Sequence, residues 1–412
     1  MKLNRFKLLP IILFLTLVPA ALASTWYVDG NNGDDGNDCK TPATACGSIG
    51  HAISLSASGD SIQIAAATYQ ENNLGIPYDL TLTGAKAATT IIDGAYELGV
   101  ISVGTGAHVS VSNLTIQRGA APIRGGGIYN YGILTVSNTV LTLNTGYSGG
   151  AIFNAGTATI SNTTIINNGT GGIHYGYCGA IDNQGTMTIT NSTLSGNSAA
   201  PTNFTYGGAI CNSATMTIND STLNNNSSNG VDTGAGGAIY NLAQLAINNS
   251  TFTGNNASGV YGGGAIYNEG GTITISNSTL SGNTSSVGAG ISNASGTVAL
   301  QNSIVANNTT GGNCAGPVSS NGYNLSSDLT CNFASTGDLN KKNPKLGLLK
   351  KNGGPTKTMA LRKGSPAIDA GNPGGCTDNL GQLLTTDQRG QPRPDKEDTG
   401  GCDMGAYESP SD

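Results

Sequence analysis

Residues 125–310 repeat a short motif, Gly-Gly-Ala-Ile-x-Asn or a near copy, and this repeat constrains the fold more than any other feature. Its Ile falls at 128, 152, 181, 210, 239, 266 and 291, with spacings of 24 to 29 residues. A period of this size means a solenoid of stacked coils. Asn follows two residues after each Ile, from Asn130 and Asn154 through Asn268 and Asn293. A second aligned column reads Asn138, Asn162, Asn191, Asp220, Asn249, Asn277 and Asn302, and a third, six residues on, Asn144, Asn168, Asn197, Asn226, Asn255, Asn283 and Asn308. Asn tolerates the left-handed region and bonds nearby backbone, so each column suits a corner. Stacked coils bring equivalent amides to about 4.8 Å, where they can form ladders.

Between the corners the pattern alternates. Ala158 and Ile160, Met187 and Ile189, Met216 and Ile218, and Leu245 and Ile247 precede the second column; Leu141, Ile165, Leu194, Leu223, Phe252 and Leu280 follow it. Period-two alternation with one apolar face is strand. Three short strands per coil predict an all-β, right-handed parallel β-helix of about ten coils, roughly 50 Å long. Ser48–Ala57, with Ile49, Ala52, Ile53 and Leu55, predicts a short helix over the N-terminal end, since a solenoid must cover its open ends. The expected division is a signal peptide at 1–23, an N-terminal cap at 24–58, the β-helix at 59–335 and a C-terminal cap at 336–412.

The signal peptide is read from Lys2, Arg5 and Lys7, the apolar run 8–18 and the small-x-small site at Ala21–Ala23. An exported chain, extracellular or held at the cell surface, is expected. No second apolar run is long enough to span a membrane. The formal net charge is −6, and no Lys or Arg occurs in 125–340. Such a body does not neutralise phosphates, so nucleic acid is a poor partner. Cysteines in an exported chain predict disulfides Cys39–Cys46, Cys314–Cys331 and Cys376–Cys402. Cys178 and Cys211 sit on adjacent coils but offset by four residues, roughly 13 Å of strand, beyond disulfide reach unless the backbone bends sharply.

Two stretches resemble known families. The alternation of Gly149–Ile152, Gly236–Ile239 and Gly263–Ile266 with Phe252–Asn255 and Leu280–Asn283 resembles the repeats of polymorphic outer-membrane proteins. That resemblance implies a right-handed β-helix with an adhesin role. Asn352–Thr356, Gly364–Gly371, Thr386–Gly390 and Cys402–Glu408 resemble the choice-of-anchor Q domain of exported bacterial β-helix proteins. The opening Tyr27-Val28-Asp29, with Cys39 and Cys46, resembles secreted pectate-lyase-like β-helices. None of these carries a catalytic assignment, and no autotransporter barrel or sorting signal is expected after the last motif.

The segments 169–178, 198–206 and 227–235 are the longest variable stretches and fall on consecutive coils, so they are expected to project as loops from one edge. Tyr175, Tyr177, Phe204 and Tyr206 lie in them, with Tyr147 and Tyr261 nearby. Tyr129, Phe153, Tyr240 and Tyr267 follow the motif Ile on the outward face. An aromatic edge of Tyr147, Tyr175, Tyr177, Phe204, Tyr206, Tyr240, Tyr261 and Tyr267 suits sugar rings or a protein partner; covering strand edges is the competing reading. The expected function is therefore a non-catalytic, monomeric, adhesin-like protein that binds a polysaccharide, a surface glycan or a cell-surface protein.

The alternative is a polysaccharide lyase or glycoside hydrolase. The regular coils hold only Asp182, Asp220, Asp232 and Glu269 as acids and His174 as a base. Asp182 reads as outward and alone; Arg118 and Arg124 with Asp93 are the one opening for catalysis. Outward Thr pairs at 157/159, 186/188, 215/217 and 272/274, broken at Gln244 and Ala246, suggest a minor ice-binding alternative. Asp29, Asp34, Asp35 and Asp38 form a loop that could hold calcium, with a plain turn-rich loop as the other reading.

Overall fold

A computed structural model describes residues 23–171, 175–199, 203–230, 232–395 and 401–410. Residues 1–22, where the signal peptide is expected, and His174 lie outside them, as does the side chain of Tyr175. The chain winds into the expected right-handed parallel β-helix, with every pairing between its strands parallel, in sheets of 20, 12 and 11 strands.

One coil shows why the sequence folds this way. Ile152–Asn154 is a short strand, Thr157–Ser161 a five-residue strand and Thr164–Ile166 a third, each in register with its copy in the next coil. Alternation places Ala158, Ile160 and Ile165 inside, all at most 1% exposed, while Thr157 and Thr159 face out. Each such Ile or Leu contributes about 1.5–3 kcal/mol by leaving water.

The three Asn columns have separate jobs. The second is the left-handed corner: Asn138, Asn162, Asn191, Asp220, Asn249, Asn277 and Asn302 all have φ between 45° and 53°. The first and third turn inward and form ladders. Asn154 Nδ2 donates to Asn183 Oδ1 at 2.8 Å, Asn183 to Asn212 at 2.8 Å and Asn212 to Asn241 at 2.8 Å. In the third column the corner φ passes to the preceding residue, such as Asn167 or Asn225.

Ser48 caps the helix Ile49–Leu55, which buries Ile49, Ala52 and Ile53 against the first coils. The segment after residue 340 does not simply sit on the far end. It runs back as a strap along the flank and docks on the second Asn column. Thr356 Oγ1 donates to Asp220 O, Asn249 Nδ2 to Thr386 O, Asn277 Nδ2 to Thr377 O and Asn302 Nδ2 to Asp403 O. The C-terminal motifs converge inside this strap: Asp387 pairs with Arg389, Arg393 with Glu408, and the Arg389 guanidinium lies 3.6 Å from the Tyr407 ring centre. These motif residues are structural glue.

Asp220 stands where its column otherwise carries Asn, under the strap. Burial pushes its carboxyl from 3.8 up to about 6, with Asp387 adding repulsion and the Asn249 hydrogen bond and Arg393 opposing. Between those two values the native chain keeps a proton that the unfolded chain has released, so stability falls as pH rises from about 4 through 6. The displacement corresponds to about 3 kcal/mol, and solvent screening at this partly accessible position reduces it to about 1–2 kcal/mol. Asp220→Asn is expected to raise the melting temperature at pH 7.5 and to leave it unchanged at pH 3.5; equal effects at both pH values would remove this account.

All eight cysteines are paired, the three expected bridges among them. Cys178 and Cys211 form the fourth, with Cα atoms 5.0 Å apart. The expectation of a 13 Å offset fails because the residues before each motif Ile form a sharp bend and not straight strand. The first position of this motif is left-handed, with φ of 64° at Gly149, 60° at Cys178 and 59° at Gly207. A Cβ there points at the residue after Ile in the next coil: one built on Gly149 would lie 3.1 Å from Asp182 Cβ. Cys178 thus aims at Cys211 by the same geometry.

Candidate functional site

The residue after each motif Ile forms an outward column down the helix. It reads Gly75, Ser102, Tyr129, Phe153, Asp182, Cys211, Tyr240, Tyr267, Ser292 and Ala315 in unbroken register. An outward strand position is ordinarily wet, and an aromatic column there covers apolar surface.

The long segments differ from their expected form. Their described parts are strands, while 172–174, 200–202 and 231 lie outside the described residues. Tyr175–Tyr177, Phe204–Tyr206 and Thr233–Ala235 make a short additional parallel ladder beside Gly169–Thr170, Ser198–Ala199 and Ser227–Asn229. Both branches start from Thr145–Ser148. Ser228 joins the branches, accepting from Ala235 N and meeting Thr205 Oγ1.

This ladder aligns the aromatic residues. Tyr177 and Tyr206 are register partners and stack at 5.4 Å between ring centres, 9° from parallel. Tyr147 lies 6.1 Å from Tyr177, Tyr240 4.9 Å from Tyr206, Tyr267 5.8 Å from Tyr240 and Tyr261 5.8 Å from Tyr267. Six of the eight expected aromatic residues therefore form one continuous row; Phe204 is partly buried on the same ladder. Tyr177–Tyr206 and Tyr240–Tyr267 are nearly parallel, at 9° and 5°, while the Tyr147–Tyr177, Tyr206–Tyr240 and Tyr261–Tyr267 contacts are tilted by 50°, 57° and 50°, so the rings do not tile one plane. Tyr147 and Tyr261, each 42% exposed, lie at its ends, while Tyr177, Tyr206 and Tyr240 are half-buried and Tyr267 is buried. Tyr240 donates to Glu269 Oε2 at 2.5 Å, and burial followed by Glu269 raises its phenol well above the usual range; burial and Glu269 push Tyr267 to about 12. These phenols stay protonated and remain donors.

Asp182 is not alone. The carboxyl is buried beside the row, and Ser148 Oγ donates to its Oδ2 at 2.7 Å. Gln184 Nε2 reaches it at 3.3 Å and is held in turn by Arg124, whose Nη1 lies 3.2 Å from Gln184 Oε1. Burial raises the Asp182 carboxyl above the usual carboxylate range, against the Ser148 bond and the Arg124 charge. Arg124 stands 4.8 Å over the Phe153 ring. Arg124, Tyr147, Tyr177, Asp182, Gln184 and Tyr240 wall a groove of about 290 Å³. The aligned column, in which Asp182 interrupts Tyr, Phe, Cys and Tyr, was the sequence signal for this site.

The Arg118, Arg124 and Asp93 set divides. Arg118 grips Asp93 in an ion pair on the opposite sheet; burial opposes, but the Arg118 and Gln117 hydrogen bonds hold Asp93 below its usual range. Arg124 faces the tyrosine groove. In the N-terminal loop, Asp29 accepts from Asn31 and Asn32, Asp34 from Gly36 N, Asp35 from Gly47 N and Ser48, and Asp38 from Thr44 and Lys40 N, all turn and cap bonds. Among the described residues the one convergent set of three potential metal donors is Cys39, Cys46 and His51, and its cysteines form a disulfide. The outward Thr pairs do stack, interrupted at Gln244.

No family model and no curated sequence matches the chain, so the two repeat and C-terminal resemblances rest on their residues alone. Among solved structures, the complex of XylC with xylose aligns with a TM-score of 0.59 over 93% of this chain and 98% of that one, at 10% identity. Pectate lyase Pel9A aligns at 0.48 over 95% of this chain and 98% of that one, at 18% identity. At such identities the likeness is one of fold.

Proposed function

We propose that the chain is an exported, non-catalytic β-helix that binds glycans or glycan-bearing surfaces along its tyrosine row, an adhesin-like role. The supporting observation is the unbroken row from Tyr147 to Tyr261, backed by a polar groove and aligned with the helix axis. Tyr combines apolar area with a hydroxyl at low entropic cost, which suits a sugar's mixed surface. Four disulfides fit an oxidising compartment. No helix among the described residues is long and apolar enough to cross a membrane.

Hydrolysis has little support. Asp182 and Glu269 stand near the row, but three coils separate them, about 14 Å at strand spacing. Paired glycosidase carboxyls lie about 5–9.5 Å apart. The test is retention of the purified mature protein in gels containing neutral or acidic polysaccharides, xylan included because XylC was solved with xylose. Tyr177→Ala plus Tyr206→Ala is expected to weaken retention at least about 10-fold, with the β-helix circular dichroism unchanged. Unaltered retention would remove the row, and release of reducing or unsaturated ends from any substrate would make the protein an enzyme.

A further inference from the structure

We propose that Asp182 and Arg124 form a subsite for a single neutral sugar residue, whose adjacent hydroxyls bridge the carboxyl and the guanidinium. The inference rests on the glycan-binding reading and specifies where and what that reading binds.

An acid at this buried position is unusual. Asp182 is 4% exposed, as buried as its column neighbours Phe153 at 1% and Cys211 at 5%. Ser148 satisfies one oxygen; Oδ1 receives only a 3.4 Å contact from Gln184. A buried carboxyl with an under-used oxygen costs stability unless something repays it. Strand-covering needs no acid here, since Phe153 and Cys211 fill the flanking positions of the same column.

Arg124 supplies the complement. It is the last cation before Lys341 in the sequence. No ion pair joins it to Asp182: the Phe153 ring and Gln184 hold its guanidinium, and Arg124 lines the groove together with Asp182. A planar acceptor and a planar donor on two walls match the alternating donor and acceptor hydroxyls of a sugar. Tyr147 and Tyr177 add apolar wall, and Ser148 Oγ, also 3.3 Å from Cys178 Sγ, ties the acid to the disulfide beneath. The groove's volume is at the lower end of ligand sites, about 300–1,000 Å³, which suits one ring of a longer chain. One acid facing one cation leaves no excess positive charge for a uronate, so the sugar is neutral.

The experiment compares wild type, Asp182→Ala, Asp182→Asn and Arg124→Ala by retention in gels of xylan, mannan, β-glucan and polygalacturonate. Retention by a neutral polysaccharide is expected, weakened about 10-fold or more by Asp182→Ala and by Arg124→Ala, and less by Asp182→Asn, whose amide oxygen still accepts. Should Asp182→Ala fail to fold, Arg124→Ala, on a partly exposed side chain, carries the comparison. Wild-type retention that the Tyr177 and Tyr206 double variant abolishes but the Asp182 and Arg124 variants leave intact would overturn the subsite and leave the row. Retention by polygalacturonate alone would overturn the neutral-sugar assignment. No retention by any glycan would overturn both.

Discussion

Asn197→Ala is expected to cost about 3–5 kcal/mol, close to the loss of a large core side chain. Asn197 sits fully buried in the middle of the third column. Its Oδ1 accepts from Asn168 N at 3.0 Å and Asn168 Nδ2 at 3.1 Å; its Nδ2 donates to Ile165 O at 2.9 Å and Asn226 Oδ1 at 3.0 Å. Alanine removes all four and leaves the Asn168 backbone N–H facing a dry interior, while Asn168 Nδ2 keeps its bonds to Leu141 O and Ile166 O. Each buried group left unpaired costs about 1–3 kcal/mol. Asn197→Asp should be no milder, because it keeps the acceptor, loses both donors and buries a charge. The control is Asn162 in the second column, exposed and at φ 48°. There alanine should cost only the left-handed penalty of about 1–2 kcal/mol, and glycine almost nothing. Urea unfolding midpoints separate the cases, and equal losses at 162 and 197 would refute the division between ladder and corner.

That contrast shows what the sequence could and could not disclose. The period, the inward faces and the presence of Asn corners were legible because they repeat, and each copy confirms the next. The separate roles of the columns were not, because Asn serves both as a left-handed corner and as a buried amide, and composition is the same in either. Tyr177 and Tyr206 were legible as neighbours, since a constant coil length fixes their register. Their offset stacking was not, because ring tilt depends on the extra ladder that the long segments build, and those segments read as loops for want of alternation. Asp182 read as a lone outward acid because Ser148 and Arg124 come from earlier coils, and only Gln184, two residues on, is its neighbour in sequence. The strap was hidden for the opposite reason: it bonds the coils of Asp220, Asn249, Asn277 and Asn302 irregularly, through side chains such as Gln388 and Arg393, and leaves no period to read.

Replacing both Cys178 and Cys211 by alanine is expected to destabilise the protein by about 3–4 kcal/mol. The bridge closes a separation of 33 residues, and constraint of the unfolded chain grows with that length. By the same relation Cys39–Cys46, with a separation of 7, should contribute only about 2 kcal/mol. The choice of replacement separates the bridge from the bend. Cys178 holds a left-handed φ of 60°, where the neighbouring coils carry Gly149, Gly207 and Gly236. Cys178→Gly with Cys211→Ala should therefore recover about 1 kcal/mol over the double alanine variant, since only the strain is relieved. The loss should also be local. Hydrogen exchange is expected to rise in Tyr175–Tyr177 and Phe204–Tyr206, which the bridge anchors to the coils, and to stay unchanged in Thr186–Thr190, whose register depends on the core. A uniform rise would mean that the bridge supports the whole solenoid; no rise in either place would mean that the bend alone holds the tyrosine ladder on its coils.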